Sequence, residues 1–198
     1  MKYLVLILAV LVAIPTLTLA GGDDEVLLTD KSSKGLFSFA VIASEPVGKN
    51  SATAKGGYFT TKFRQGYIVM WYQAKRTKNI LDLGQYSSVS LDVRVRDNAS
   101  TDVSSVLINF WKADGKTMWE AKIPRTTIPH DGKQYRLVIP VSNFVPMGNP
   151  PPNDKTGLFK LAFGIGSEVE HETLSTDLGN VILWKKPVDE VTVIPLEK

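Results

Sequence analysis

The sequence predicts an all-β protein built as an antiparallel two-sheet β-sandwich. Three observations carry that prediction. Apolar and polar residues alternate in several successive stretches, turn-forming residues separate those stretches, and no stretch sustains the periodicity of an amphipathic helix. Without helices to cover parallel crossovers, antiparallel pairing is the arrangement left.

The chain opens with Met1-Lys2-Tyr3, runs apolar from Leu4 to Ile14, and reaches small residues at Ala20-Gly21-Gly22. That is the charged start, greasy middle and small cleavage site of a secretory signal peptide, expected to occupy residues 1–20 and to be cut after Ala20. The apolar run is short for a membrane span, which takes about 20 residues. Residues 21–198 are then expected to form a single domain, enough chain to bury a core of its own. There is no cysteine, so neither a disulfide nor a thioether lipid anchor has an attachment point.

An early strand is indicated by Met70 and Tyr72 alternating with Trp71 and Gln73. The clearest strand is Val89 to Arg96, where Val89, Leu91, Val93 and Val95 alternate with Ser90, Asp92, Arg94 and Arg96, as in a sheet with one buried face. Val106 to Lys112 repeats the alternation. Ala113-Asp114-Gly115-Lys116 then supplies a hairpin turn, with Asp-Gly allowing the positive φ it needs, and Thr117 to Ile123 is the returning strand. Tyr135, Leu137 and Ile139 share one side of a strand that ends at Pro140, which cannot donate to a ladder. Phe159, Leu161, Phe163 and Ile165 form another inward stripe, and Asn180 to Lys185 closes the sheet. The stretch from Pro146 to Asp154 is too rich in proline and glycine for regular structure and is expected to be a surface loop.

The expected core is Val89, Leu91, Val93, Val95, Ile108, Phe110, Leu137, Ile139, Leu161 and Phe163 between two sheets. A slip of one residue would turn each of these side chains to water.

The formal net charge is +3, and losing Lys2 with the signal brings the chain closer to neutral. The densest basic runs, Lys75-Arg76-Thr77-Lys78 and Lys185-Lys186, are short. Nucleic-acid binders concentrate such residues on one face or arm, so no nucleic-acid partner is expected.

Three segments resemble the core of carbohydrate-binding modules with the galactose-binding-like jelly roll. They are Leu81-Asp82-Leu83-Gly84-Gln85-Tyr86 leading into Val89 to Arg94, Gln134 to Phe144 with its Ile139-Pro140-Val141-Ser142-Asn143-Phe144, and Phe159 to Ile165 followed by Asn180-Val181-Ile182-Leu183. They occur in the family's order and span most of the chain from Leu81 onward. The resemblance implies a jelly roll that holds a glycan without catalysis. Many such modules place an acidic residue of a structural calcium site just before the closing Asn-Val. Here that residue is Gly179, and the nearest carboxylate is Asp177. Calcium takes six to eight oxygen ligands, which a single Asp without an acidic cluster does not supply unless the fold brings Asp30 and Glu45 near, so no metal and no cofactor are expected.

Sugars present C–H faces flanked by hydroxyls, so a site for them needs a flat aromatic ring beside planar hydrogen-bonding side chains. Opposite the apolar face of Val106, Ile108 and Phe110 lie Leu107, Asn109 and Trp111, and opposite Val89 to Val95 lie Asp92 and Arg94. If both strands belong to one sheet, Asp92, Arg94, Asn109 and Trp111 form a polar and aromatic platform. Trp71 and Gln73 join it from the earlier strand, and Glu120 or Trp119 from the hairpin partner. The alternative for any of these tryptophans is ordinary packing, because large aromatics dominate cores, but an asparagine between Leu107 and Trp111 is odd for a core face.

No catalytic motif stands out. His130 lies in a turn and His171 in a polar loop, without the ligand spacing of a zinc site; Gly164-Ile165-Gly166-Ser167 has its glycines in the wrong register for a nucleophile elbow. Glu168, Glu170 and Glu172 form a solvated acidic cluster, and Asn98-Ala99-Ser100 matches a glycosylation acceptor. The expected function is that of an exported, non-catalytic carbohydrate-binding protein whose partner is a carbohydrate or another extracellular polymer, with no membrane contact beyond the signal segment. The alternative is an envelope or extracellular sandwich that contacts a protein partner or assembles with itself.

Overall fold

Two antiparallel sheets face each other across one apolar core. The computed structural model describes residues 24–29, 35–55, 58–77, 80–97, 103–148, 154–170 and 173–196. The signal segment 1–20, Asn98-Ala99-Ser100 and His171 lie outside the described residues. The strands are β1 (Glu25–Leu27), β2 (Phe37–Glu45), β3 (Ser51–Lys55), β4 (Tyr58–Phe63), β5 (Gly66–Ala74), β6 (Ser88–Val95), β7 (Ser105–Lys112), β8 (Met118–Pro124), β9 (Tyr135–Pro140), β10 (Val145–Met147), β11 (Leu158–Ser167), β12 (Leu174–Trp184) and β13 (Thr192–Pro195). One sheet runs β13-β9-β6-β12-β4-β3 with β1 beside the far end of β12, and the other runs β10-β8-β7-β11-β5-β2.

The core register is the one the alternation predicts. Val89, Leu91, Val93, Val95, Ile108, Phe110, Leu137, Ile139, Leu161 and Phe163 are all fully buried in one cluster. Each contributes about 1.5–3 kcal/mol by leaving water, which is why period-two patterning fixes which face points inward. The β7–β8 hairpin is also as expected, with Asp114 Oδ1 accepting from the backbone N–H of Lys116 at 2.9 Å and of Thr117 at 3.0 Å.

The stretch expected to be a loop after Phe144 departs from expectation at its start. Val145, Pro146 and Met147 form β10 and pair with Glu120, Trp119 and Met118 of β8. β10 is the edge of its sheet, where a proline without an N–H is tolerated; residues 149–153 lie outside the described residues.

At one end of the sandwich Arg125 is wholly buried. Its two terminal nitrogens grip Asp97 at 2.9 and 2.6 Å, and Nη1 also donates to Thr176 Oγ1 at 2.9 Å. This buried pair ties the turn after β8 to the ends of β6 and β12.

Candidate functional site

The outer face of the six-stranded sheet carries rows of side chains set by strand register. Trp71, Ala162, Asn109 and Glu120 stand side by side on β5, β11, β7 and β8, and Gln73, Lys160, Trp111 and Met118 form the next row. In the other direction come Val69, Gly164, Leu107 and Lys122, then Tyr67, Gly166 and Ser105.

Three of the outward residues of the central strand β11, Ala162, Gly164 and Gly166, are small, so its neighbours close over them. Val69 and Leu107 bury Ala162 between them, with Trp71 packed against the cluster. Trp71 and Trp111 approach each other across the strand, with ring centroids 5.5 Å apart. Gly164 is required here, because a Cβ would lie 1.9 Å from the carbonyl oxygen of Ile68 on β5.

Polar groups flank this apolar centre. The Asn109 side-chain nitrogen donates to Glu120 Oε2 at 3.1 Å and to the Ile108 carbonyl at 3.0 Å, and Lys122 Nζ reaches Glu120 Oε1 at 3.3 Å. Both Asn109 and Glu120 are buried, so this pair is held in place beside the tryptophans. Beyond Leu107 the face opens into a cleft of about 700 Å³ whose walls include Glu45, Tyr67, Ser105, Lys122 and Glu168. Burial raises the Tyr67 hydroxyl above its ordinary pKa, and the charge and hydrogen bond of Glu45 raise it further. It is therefore a neutral donor and acceptor at physiological pH.

Five of the seven residues singled out from sequence thus share one surface: Asn109, Trp111, Trp71, Gln73 and Glu120. Asp92 and Arg94 do not. β6 belongs to the seven-stranded sheet and β7 to the six-stranded one, so the two pairs face away from each other on opposite sides of the sandwich, and the four-residue platform does not exist. Strands adjacent in sequence here cross between sheets, and alternation within a strand carries no information about which sheet it joins. Trp119 points into the core, with Nε1 donating to the Asp154 carbonyl at 2.9 Å and the Lys155 ammonium over its ring.

Sequence reasoning missed Tyr67, Lys122 and the cleft. Tyr67 shares the parity of Trp71 and Gln73 and was therefore legible as their neighbour along β5. Lys122 and Ser105 needed the hairpin register.

Asp92 and Arg94 are instead part of an ionic layer whose carboxylates are buried and whose arginines Arg94 and Arg96 are partly exposed. Asp92 accepts from Arg136 Nε at 2.7 Å. Asp177 takes the guanidinium groups of both Arg94 and Arg96, the latter at 2.9 and 2.6 Å, and the Thr60 hydroxyl at 2.8 Å. Burial by itself would raise the Asp177 carboxyl, but hydrogen bonds from Arg96, Thr60 and Arg94 outweigh it and hold the group below the ordinary carboxylate range. A calcium ion does not fit this position, since both carboxylate oxygens are engaged and two cations already face them. Among the described residues no group of three or more histidine, aspartate or glutamate side chains is placed to hold a metal.

The sandwich shares its fold with carbohydrate-binding modules. It is similar to a family 11 carbohydrate-binding module from Clostridium thermocellum solved in complex with a beta-1,3-1,4-mixed-linked tetrasaccharide, at 14% identity and a TM-score of 0.54, over 84% of this chain and 99% of that one. It is also similar to the family 11 module of the cellulosomal cellulase Lic26A-Cel5E of Clostridium thermocellum, at 14% identity and a TM-score of 0.53, over 85% and 98% of the two chains. No family model matches the sequence, and no curated protein matches it.

Proposed function

We propose that the chain is an exported, non-catalytic glycan-binding module that holds its ligand on the outer face of the six-stranded sheet. The carrying observation is the Trp71–Trp111 pair standing beside the fixed Asn109–Glu120 pair at the edge of an open cleft. An indole offers a flat face to sugar C–H groups, while buried, oriented amide and carboxylate groups meet hydroxyls at little further ordering cost. Lys122 and Tyr67 supply donors along the cleft. The tetrasaccharide complex of a module with the same fold supports the choice of a carbohydrate as ligand. The leader-like residues 1–20 support export.

The test is affinity electrophoresis against a panel of neutral plant and microbial polysaccharides. Retardation by at least one of them, lost in Trp111→Ala and Trp71→Ala, is the expected result. Retardation that survives both substitutions moves the site elsewhere.

A second reading, contact with a protein partner, is favoured by one feature. The edge strand β2 leaves Phe39 47% and Val41 54% exposed, and an open edge with apolar side chains is a template for strand addition.

A further inference from the structure

The outer face of the seven-stranded sheet carries charges that do not balance. Ser175 stands between Lys62 on β4 and Arg96 just past β6, and the next row holds Thr60, Asp177 and Arg94. Asp92 and Arg136 pair across β6 and β9 in the row beyond. Among the described residues of this half of the face, Lys62, Arg94, Arg96 and Arg136 stand against only Asp92 and Asp177.

The layering matters as much as the count. The carboxylates lie underneath, with the Asp177 side chain 0% exposed and that of Asp92 6%, whereas Arg94 is 27% and Arg96 45% exposed. Each of the three arginines spends Nε and Nη2 on its carboxylate. A guanidinium has five N–H donors, and among the described residues nothing engages the Nη1 group of any of the three. The buried carboxylates thus fix three planar forks, of which Arg94 and Arg96 are partly exposed to solvent, while Arg136 is 13% exposed and lies over the Trp184 ring. A planar fork of that kind matches the two oxygens of a carboxylate or sulfate. Residues two apart on a strand stand about 7 Å apart, so Arg94 and Arg96 present a regular row of such groups.

An aromatic ring lies in the same surface. Tyr58 rests on Gly179, where a Cβ would come 2.7 Å from Tyr58 Cε1 and 3.0 Å from the Asp92 Cβ. The residue before Asn180 is therefore a glycine because a tyrosine ring occupies its side-chain space. Beside the arginines this half-buried ring offers a C–H-binding face. Val138, Ile182 and Trp184 on this side are buried and Ile194 beside Arg136 is partly buried, so among the described residues the surface offers little apolar area to a membrane and no second exposed ring to stack successive bases.

We infer that this face is a second binding surface, for a linear acidic glycan bearing carboxylate or sulfate groups, on the side of the sandwich opposite the tryptophan groove. Lys62, Arg94, Arg96 and Arg136 take the acidic groups, and Tyr58 takes the sugar ring between them. The site is independent of the groove and stands whether or not the groove holds a glycan.

The experiment is gel retardation of the purified protein by alginate and by dextran sulfate, with neutral dextran and double-stranded DNA as comparison polymers. The expected result is retardation by at least one acidic glycan, none by dextran, and an affinity that falls about tenfold between ~0.02 M and ~0.2 M salt. Lys62→Glu, at an exposed position touching no carboxylate among the described residues, and Arg96→Gln, which leaves Arg94 and Thr60 on Asp177, should each weaken retardation about fivefold or more by loss of one charge contact. Trp111→Ala should leave it unchanged. A thermal melt of each variant separates lost binding from lost folding. Absence of retardation at low salt, indifference to both substitutions in folded protein, loss in Trp111→Ala, or DNA retarded as strongly as either acidic glycan would overturn the assignment.

Discussion

The indoles of Trp71 and Trp111 meet across the central strand with their planes inclined at 52°, and the buried Trp111 Nε1 has no hydrogen-bond partner among the described residues. An unpaired buried donor costs about 1–3 kcal/mol, so the ring is kept in a place that packing alone would fill better with phenylalanine. Trp111→Phe should leave the midpoint of urea unfolding unchanged or higher. Trp111→Ala should weaken glycan binding by about 1–3 kcal/mol, taking base–aromatic stacking as the guide, in isothermal titration with the polysaccharide that the wild type binds. A Phe variant markedly less stable than wild type would show that the indole nitrogen has a partner after all.

Alternation along β6 gives Asp92 and Arg94 the look of an ordinary solvated face. Burial changes it. Asp92 is 4% exposed and paired with Arg136, and removing one member of a buried pair strands the other, at about 3–5 kcal/mol. Asp92→Ala should therefore lower stability by several kcal/mol in denaturant melts. Arg94→Ala should cost less, since Arg96 and Thr60 still hold Asp177. Leu91→Asp and Phe110→Asp, both at fully buried positions, should abolish folding altogether, read as loss of the cooperative transition.

Asp177 couples stability to pH. Its folded pKa lies below that of an unfolded aspartate, near 3.9, so the folded state binds its proton less readily than the unfolded one. The resulting stabilisation is fully present above about pH 5 and is lost as pH falls through the folded value. Urea-derived stabilities measured from pH 7 down to ~2 should fall at the acid end, and Asp177→Asn should flatten that fall while lowering the neutral-pH plateau. An equally steep acid limb in the variant would assign the titration to another carboxylate.

Gly164 on β11 lies against the backbone of β5 with no room for a Cβ, so its missing side chain is part of their pairing. Gly164→Ala should push the two backbones apart, lowering stability by about 1–3 kcal/mol, as overpacking does, and disturbing the Trp71–Trp111 contact. Near-ultraviolet circular dichroism reports that contact; an unchanged spectrum with unchanged stability would mean the strand shifts freely.

The inward faces of β6, β7, β9 and β11 were legible because one buried face per strand writes itself as period two. Sheet membership was not. Val89–Val95 and Val106–Phe110 show the same alternation, yet their strands lie in different sheets, so Arg94 and Trp111 ended on opposite sides. The outward face of β6 was misjudged for a related reason. Ser90, Asp92 and the Asp177 beside them look solvated in sequence, and only the third dimension reveals that Trp184, Arg136 and Arg96 cover them. β10 was hidden by the proline in it. The early strands β2 to β4 carry alanines, serines and threonines on a chain whose parity is broken by a bulge between Phe39 and Val41.

The pairing of β1 with β12 joins the start of the described chain to its penultimate strand. Leu28 N donates to the Val181 carbonyl at 2.9 Å, and Val181 N to Thr29 Oγ1, 152 positions away. Such contacts pay the largest loop-closure entropy and form late, which makes domains built from them slow to fold. β12 is also the shared neighbour of β6 and β4. While the chain is being synthesised, the seven-stranded sheet has no centre until residue 184 emerges, so a nascent chain missing those residues holds its β6 and β4 edges unpaired. A truncation before Leu174 would remove the strand on which the rest of that sheet is assembled, and the core side chains of β6 would lose the partner that keeps them from water.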